Sequence, residues 1–265
     1  MKAEQTRDIV REHYARVATK GGGCAPNCCD VASGTAATSL GYSADDSGAA
    51  PEGADLGLGC GNPTAIASLR TGETVLDLGS GAGFDCFIAA KQVGPTGRVI
   101  GVDMTAEMIS RARANADKVQ ATNVEFRLGE IEHLPVADGT VDAILSNCVV
   151  NLSPEKSNVY REAFRVLKPG GRIALSDVVA IAPIPEVLQN QAAALAGCIA
   201  GAAHIDDVRR MLVEAGFTNV KVDPLPHSAN IVGAWLPGIE KFVASATIEA
   251  TRPGKDACCE PGCCA

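Results

Sequence analysis

Basic residues are in short supply. Lys and Arg number 23 against 31 Asp and Glu, a formal net charge of −8; because nonspecific affinity for a phosphate backbone comes largely from clustered Lys and Arg, no nucleic-acid partner is expected. A small-molecule partner is. Apolar runs of bilayer length are missing too, since the longest, Ala192 to Ala203, is too short at about 1.5 Å of helical rise per residue. The charged start "MKAEQTRDIVREHY" lacks the apolar segment of an export signal. No membrane contact is expected, and the protein is read as soluble and cytoplasmic. No internal repeat is visible.

Cysteine, by contrast, is plentiful: there are 11 in 265 residues. An extracellular disulfide framework explains them poorly, because the count is odd, the chain is large enough to build its own core, and no export signal is seen. Thiol chemistry or soft-metal binding is the better expectation, with burial as a small hydrophobe the alternative for individual residues.

The chain divides into four parts: residues 1–64, a helix and a cysteine-bearing lid; 65–180, a ligand-binding sheet domain; 181–250, a substrate-side region; and 251–265, a cysteine-rich tail. Val10, Tyr14 and Val17 share a face of the first helix, which Gly21 to Gly23 end. Residues 20–59 have little apolar periodicity and read as loop. In "GLGCGNP", Cys60 sits in a glycine-rich turn, and Asn62 and Pro63 are suited to cap and begin a short helix.

From Glu73 onward "TVLDL", "RVIGVD", "VEFRL", "VDAILS" and "RIALSDV" read as buried strands separated by helices. One of those helices is expected to start at Ser153 and Pro154 and to stop at "LKPGG". The pattern predicts an α/β fold with a doubly wound, mostly parallel sheet and its ligand at the strand C-termini. Beyond it, a helix through Val208, Leu212 and Ala215 and the strands "FTNVKV" and "EKFVASATIEA" predict an α+β extension.

In "VLDLGSGAGFD", Gly79, Gly81 and Gly83 follow a strand and open a helix, with Ser80 between them and Asp77 just before. The third glycine of a dinucleotide fingerprint is absent from its usual place, which argues against NAD. Asp103, ending the next strand, is placed to accept hydrogen bonds from ribose hydroxyls. These residues, with "GEIEHLP" and "LKPGGRIALSD", resemble class I S-adenosylmethionine-dependent methyltransferases over about residues 65–180. The resemblance implies that the first loop wraps the methionine part of the donor, that Asp103 and Met104 hold its ribose and adenine side, and that Glu130 and Ile131 lie near the adenine. Asn147, at the end of the fourth strand, is counted among the donor-binding residues.

An oxygen or nitrogen acceptor usually needs a general base. His133 reads as a surface residue rather than such a base, and His13, His204 and His227 have no visible partner in the sequence. Thiols are better placed: Cys148 follows the fourth strand in "SNCVVNLSPEK", Cys60 precedes the sheet domain, and Cys198 lies in "AGCIAGAA". Thiolates suit soft, thiophilic centres, and trivalent arsenic takes three sulfurs while keeping a lone pair. Here "LGCGNP", "DLGSGAGFDC", "VIGVDMT", "SNCVVNLSPEK" and "GCIAGAA" resemble the ordered motifs of arsenite methyltransferases.

By motif position, this resemblance implies that Cys60, Cys148 and Cys198 bind arsenic and that Cys28 or Cys29 is a redox partner of Cys60. It implies arsenite or its thiol conjugates as substrate, S-adenosylmethionine as donor, and glutathione or a thioredoxin-type protein as reductant. Leu58 stands where the family often has tyrosine. Cys86 is expected to be buried packing. The tail cysteines, Cys258, Cys259, Cys263 and Cys264, suit zinc chelation, arsenite capture or no role at all. Two alternatives to arsenic methylation stand beside it: a methyltransferase for a carbon or oxygen acceptor, and a thiol-rich protein that only binds metalloid.

Overall fold

The computed structural model describes residues 3–20, 37–38, 40–187 and 197–254. In chain order its elements are α1 (Ala3–Lys20), α2 (Ala44–Ser47), α3 (Pro63–Ala67), β1 (Thr74–Leu78), α4 (Phe84–Val93), β2 (Arg98–Asp103), α5 (Ala106–Val119), β3 (Val124–Leu128), β4 (Val141–Asn147), α6 (Lys156–Val166), β5 (Leu167–Ala180), α7 (Gly197–Ala200), α8 (Ile205–Glu214), β6 (Thr218–Pro224), α9 (Ser228–Trp235) and β7 (Val243–Thr251). They form one seven-stranded sheet of order β3-β2-β1-β4-β5-β7-β6. The first five strands are parallel, and β7 runs antiparallel to β5 and β6.

Alternation along each inner strand distributes its side chains between two cores. Leu76, Leu78, Ile100, Val102 and Ile144 pack on one face with Val159, Tyr160, Ala163 and Leu212 of α6 and α8. Val75, Val99, Ala143 and Leu145 pack on the other with Phe87, Ala90, Ile109 and Ala112 of α4 and α5. The order reverses between β1 and β4, which both start the crossovers on either side, and a crevice opens at their C-terminal ends, as such switch points dictate. The expected α/β sheet is therefore present, and the C-terminal strands extend it rather than build a second one.

Two expected boundaries move. "LKPGG" does not merely stop a helix: β5 starts at Leu167, directly after α6. Pro169 has no N–H to give the ladder, so the chain bulges, and pairing with β4 jumps from Val141↔Leu167 to Ala143↔Arg172. Likewise α6 begins at Lys156 rather than Ser153. The residues before it, Val150–Leu152, form a 3-10 turn, and Ser153 Oγ accepts the Glu155 N–H at 3.0 Å. Within the stretch read as loop, α2 is a single helical turn held by a capping box between Ser43 and Asp46. The cap of α3 is as expected, with Asn62 accepting from the Ala65 N–H and Pro63 in the first turn. Among the described residues no helix is long and apolar enough to cross a membrane.

Leu145 of β4 is fully buried. Leu145→Ala is expected to lower unfolding free energy by about 2 to 5 kcal/mol, read as a lower denaturant midpoint at unchanged m value.

Candidate active site

A cavity opens where β1, β2 and β4 end, and its wall carries Asp77, Gly79, Ser80, Gly81, Asp103, Met104, Ile131 and Asn147. The turn after β1 depends on glycine. Gly79 has φ +69°, and a Cβ there would stand 2.4 Å from the Val149 side chain. Asp103 ties this turn to the end of β2, accepting the Gly81 N–H at 3.0 Å and the Thr105 N–H at 2.8 Å. The Ser80 hydroxyl is buried with no protein partner, an orphaned polar group on the wall of a cavity.

Two expected donor-binding residues lie off that wall. Gly83 caps α4, and a Cβ there would meet Phe126 and Phe87 at 2.8 Å, so its task is helix-to-sheet packing. Glu130 turns away from the cavity to pair with Arg11 at 3.2 Å and Arg7 at 3.6 Å of α1. Its neighbours Ile131 and Glu132 line the cavity instead. The local backbone explains this: the His133 N–H donates to the Glu130 carbonyl at 3.1 Å, closing a turn with Ile131 and Glu132 at its centre, which separates their direction from that of Glu130.

Sequence reading missed Arg7, Tyr14, Tyr42 and Glu132 on this wall. A signal existed for the first two, because residues 7, 10, 14 and 17 share one helical face. Buried Arg7 holds α1 down through Glu132 at 3.4 Å and through Glu155. For Tyr42 no local signal exists, as it sits between short loops. Leu58, where the resembled family often has an aromatic, also lines the cavity, and Tyr14 and Tyr42 supply aromatic wall there.

The three candidate acceptor thiols come from three separate segments and meet beside this cavity. Cys60 and Cys148, 88 residues apart in sequence, are joined as a disulfide. The Cys198 thiol donates to the Cys148 carbonyl at 3.1 Å. Val178, Ile199, Val232 and Ile239 enclose them in an apolar cluster, and Cys148 itself is on the cavity wall. The backbone at Cys148 is left-handed, φ +57°, a conformation costing a non-glycine residue roughly 1 kcal/mol or more. Its N–H donates to the Ser176 carbonyl at 2.8 Å, which offsets that cost and turns the chain off the end of β4. Cys28, Cys29 and the four tail cysteines lie outside the described residues.

Cys86 is fully buried and does more than fill space, since its thiol donates to Asp77 at 3.2 Å. Among the described residues no histidine lines the cavity. His204 instead caps α8, accepting the Asp206 N–H.

Comparison with known proteins follows the geometry. A family model described as a methyltransferase domain matches residues 69–216. An arsenite methyltransferase of Halobacterium salinarum is 53% identical over 96% of this chain and 68% of its own length. The chain belongs to the arsenite methyltransferase family. A second arsenite methyltransferase, from Aquipseudomonas alcaligenes, is 43% identical over 62% of this chain and 49% of itself, so the chain spans about half the length of that relative. Among solved structures, an arsenic(III) S-adenosylmethionine methyltransferase from Chlamydomonas reinhardtii superposes with a TM-score of 0.61 at 32% identity, covering 86% of this chain and 74% of that one.

Within this arsenite methyltransferase family member the strand ends concentrate buried carboxylates. Burial first, and the charge of Asp85 second, hold Asp77 well above the ordinary carboxylate range. Burial pushes Asp85 up to about 6, against hydrogen bonds from Tyr42 and Asn147 that pull it down. Asp103 is raised by burial as well. A cation bound in the cavity would favour the charged forms again. A cationic sulfonium or ammonium group suits Asp77, ribose hydroxyls suit Asp103, and Met104, Met108 and Ile131 suit a flat apolar ring, so the wall fits S-adenosylmethionine.

Asp177 lies on the thiol side. One of its oxygens and the Cys60 and Cys148 sulfurs lie within 4.8 Å of one another, and burial pushes it up to about 6 despite hydrogen bonds from the Val178 and Asn151 backbone. The folded state thus holds this proton more tightly than the unfolded chain does. Between about pH 6 and pH 4 Asp177 therefore stabilises the fold as pH falls, and that contribution disappears as pH rises. From pH 7 to pH 4 the protein is expected to gain about 2 kcal/mol from this group; Asp177→Asn should lack that gain in paired denaturation curves at the two pH values.

Proposed function

We propose that this chain transfers methyl groups from S-adenosylmethionine to trivalent arsenic held by Cys60, Cys148 and Cys198, as a detoxifying arsenite methyltransferase. One observation carries the reading: three cysteines from separate segments converge beside the cavity at the strand ends, one of them on its wall. Fold and family supply a methyltransferase, and the thiols supply the acceptor site.

With the Cys60–Cys148 bond reduced, arsenite exchanges its three hydroxyls for three thiolates. Each thiol proton leaves with a hydroxyl as water, so the exchange consumes no oxidant or reductant. Arsenic tied to three sulfurs keeps its lone pair, and the Cys148 position on the cavity wall directs that pair toward the donor. S-adenosylmethionine, when bound, supplies an electrophilic methyl group on a sulfonium.

No general base is needed, since the nucleophilic lone pair carries no proton, and this agrees with a cavity wall without histidine. Positioning is then the main catalytic device, worth up to roughly 7 to 11 kcal/mol for well-oriented partners. The apolar enclosure by Val178, Ile199, Val232 and Ile239 keeps water from competing for arsenic.

Methylation formally makes arsenic pentavalent, and its return to the trivalent state takes two electrons. Two thiols provide them by forming a disulfide, for which Cys60 with Cys28 or Cys29 is our candidate pair. Glutathione or a thioredoxin-type dithiol then restores both thiols by exchange. Such chemistry needs reduced cysteines and so a reducing compartment, the cytoplasm.

Purified protein incubated with arsenite, glutathione and labelled S-adenosylmethionine should yield methylated arsenic on speciation. Cys148→Ser should bind S-adenosylmethionine within about twofold of the unaltered protein and lose arsenite turnover by two orders of magnitude or more. Retained turnover would show the thiol site to be misassigned.

A further inference from the structure

The side-chain amide of Asn147 lies against the Cys60 loop. Its Oδ1 accepts the Cys60 N–H at 2.9 Å, and its Nδ2 donates to the Gly61 carbonyl at 2.8 Å. One amide thus grips the peptide on both sides of the Cys60 sulfur. These backbone partners also define which way the amide faces, because a backbone N–H demands the oxygen and a carbonyl demands the nitrogen.

The second Nδ2 hydrogen is shared between the Tyr42 hydroxyl oxygen at 3.0 Å and, at a longer 3.4 Å, Asp85 Oδ2, and Tyr42 donates its own proton to Asp85 Oδ1 at 2.6 Å. The direction of this chain is forced. An ionised carboxylate only accepts and an amide nitrogen only donates, so the phenol alone can do both. Tyr42 is buried at 3% exposure, with its ring edge against Phe84 at a centroid distance of 5.1 Å.

We propose that Tyr42 is a positioning residue for the arsenic site: through the Asn147 amide its hydroxyl holds the Cys60 loop in the place where the Cys60 sulfur meets Cys148. Tyr42 stands on the cavity wall, Asn147 ends β4 and Asp85 opens α4, so the alignment of Cys60 depends on contacts from three separate parts of the chain. The packing at Gly59 gives independent support. A Cβ at Gly59 would stand 2.7 Å from Asn147 Nδ2, so the loop approaches the amide as closely as glycine alone permits. The proposal rests on the reading of Cys60 as an arsenic ligand.

Tyr42→Phe removes the hydroxyl and keeps the ring, while Gly59→Ala crowds the same amide from the other side. Using full-length reduced protein, the measurements are arsenite affinity, S-adenosylmethionine affinity by calorimetry, KM for arsenite, kcat, and thermal midpoint to confirm folding. Both variants are expected to raise KM for arsenite roughly tenfold, the scale of one lost buried hydrogen bond in a charged network, and to lower S-adenosylmethionine affinity by clearly less than that, since both positions also line the cavity.

An unchanged KM for arsenite in both folded variants, or an equal loss of affinity for donor and acceptor, would overturn the proposal. Cys60→Ser separates this from the underlying reading. Should Cys60→Ser bind arsenite as tightly as the unaltered protein, the ligand assignment itself fails and takes the proposal with it. Should Cys60→Ser lose arsenite binding while Tyr42→Phe and Gly59→Ala keep it, only the proposal fails.

Discussion

The hydrogen bond from the Cys148 N–H to the Ser176 carbonyl, 2.8 Å long, is the interaction on which the convergence of the three cysteines depends. It holds a cysteine in left-handed backbone at the end of β4, where continued strand geometry would carry the chain onward beside β5. Because the chain turns there, the Cys148 sulfur meets Cys60 and the Cys148 carbonyl receives the Cys198 thiol. The neighbouring strand supplies the anchoring carbonyl, so the sheet itself sets the thiol site. Parallel pairing of β4 with β5 puts Asn147 opposite Ser176, and one register step would dismantle the arrangement.

Electrostatics divides the same edge into two environments. On the donor side Asp77, Asp85 and Asp103 are buried close together, and each has its proton affinity raised by desolvation. Such a group is expensive without partners, and the fold provides them: Cys86 for Asp77, Tyr42 for Asp85, and the Gly81 and Thr105 N–H groups for Asp103. On the acceptor side apolar residues surround the sulfurs, and Asp177 is the nearby carboxyl. The crevice thereby has one wall suited to a cationic group and another suited to a soft one.

Closure over the crevice uses arginine. Arg7 joins α1 to Glu132 and Glu155 beside the cavity, and Arg111 of α5 donates to the Ala18 and Gly53 carbonyls. A guanidinium suits both tasks because its planar fork satisfies several acceptors at once. The N-terminal helix and the loop at Gly53 are in this way fastened to the sheet domain. The apolar face of α1 then places Val10 and Tyr14 on the cavity wall.

Much of the fold was legible because its signals are local. Continuous apolar runs such as "TVLDL" and "VDAILS" mark strands buried on both faces, the glycine turn after Leu78 announces a ligand loop, and Asn62–Pro63 announces a helix start. Boundaries shifted where tertiary pairing overrode local chemistry, as at Pro169, which lies within β5 as a bulge. Orientation was harder to read: Glu130 and Ile131 are adjacent, yet one faces α1 and the other the cavity.

By itself the amino-acid sequence determined the α/β class, the glycine turn from Asp77 to Gly81 at a strand end and a set of thiols able to act as soft ligands, since each is written in residue type and short-range spacing. Only the tertiary structure decided that Cys60 lies against Cys148, that Cys198 reaches the Cys148 carbonyl, and that Tyr42 and Arg7 belong to the site. Those contacts join segments tens of residues apart, and strand order and register, rather than any local preference, bring such segments together.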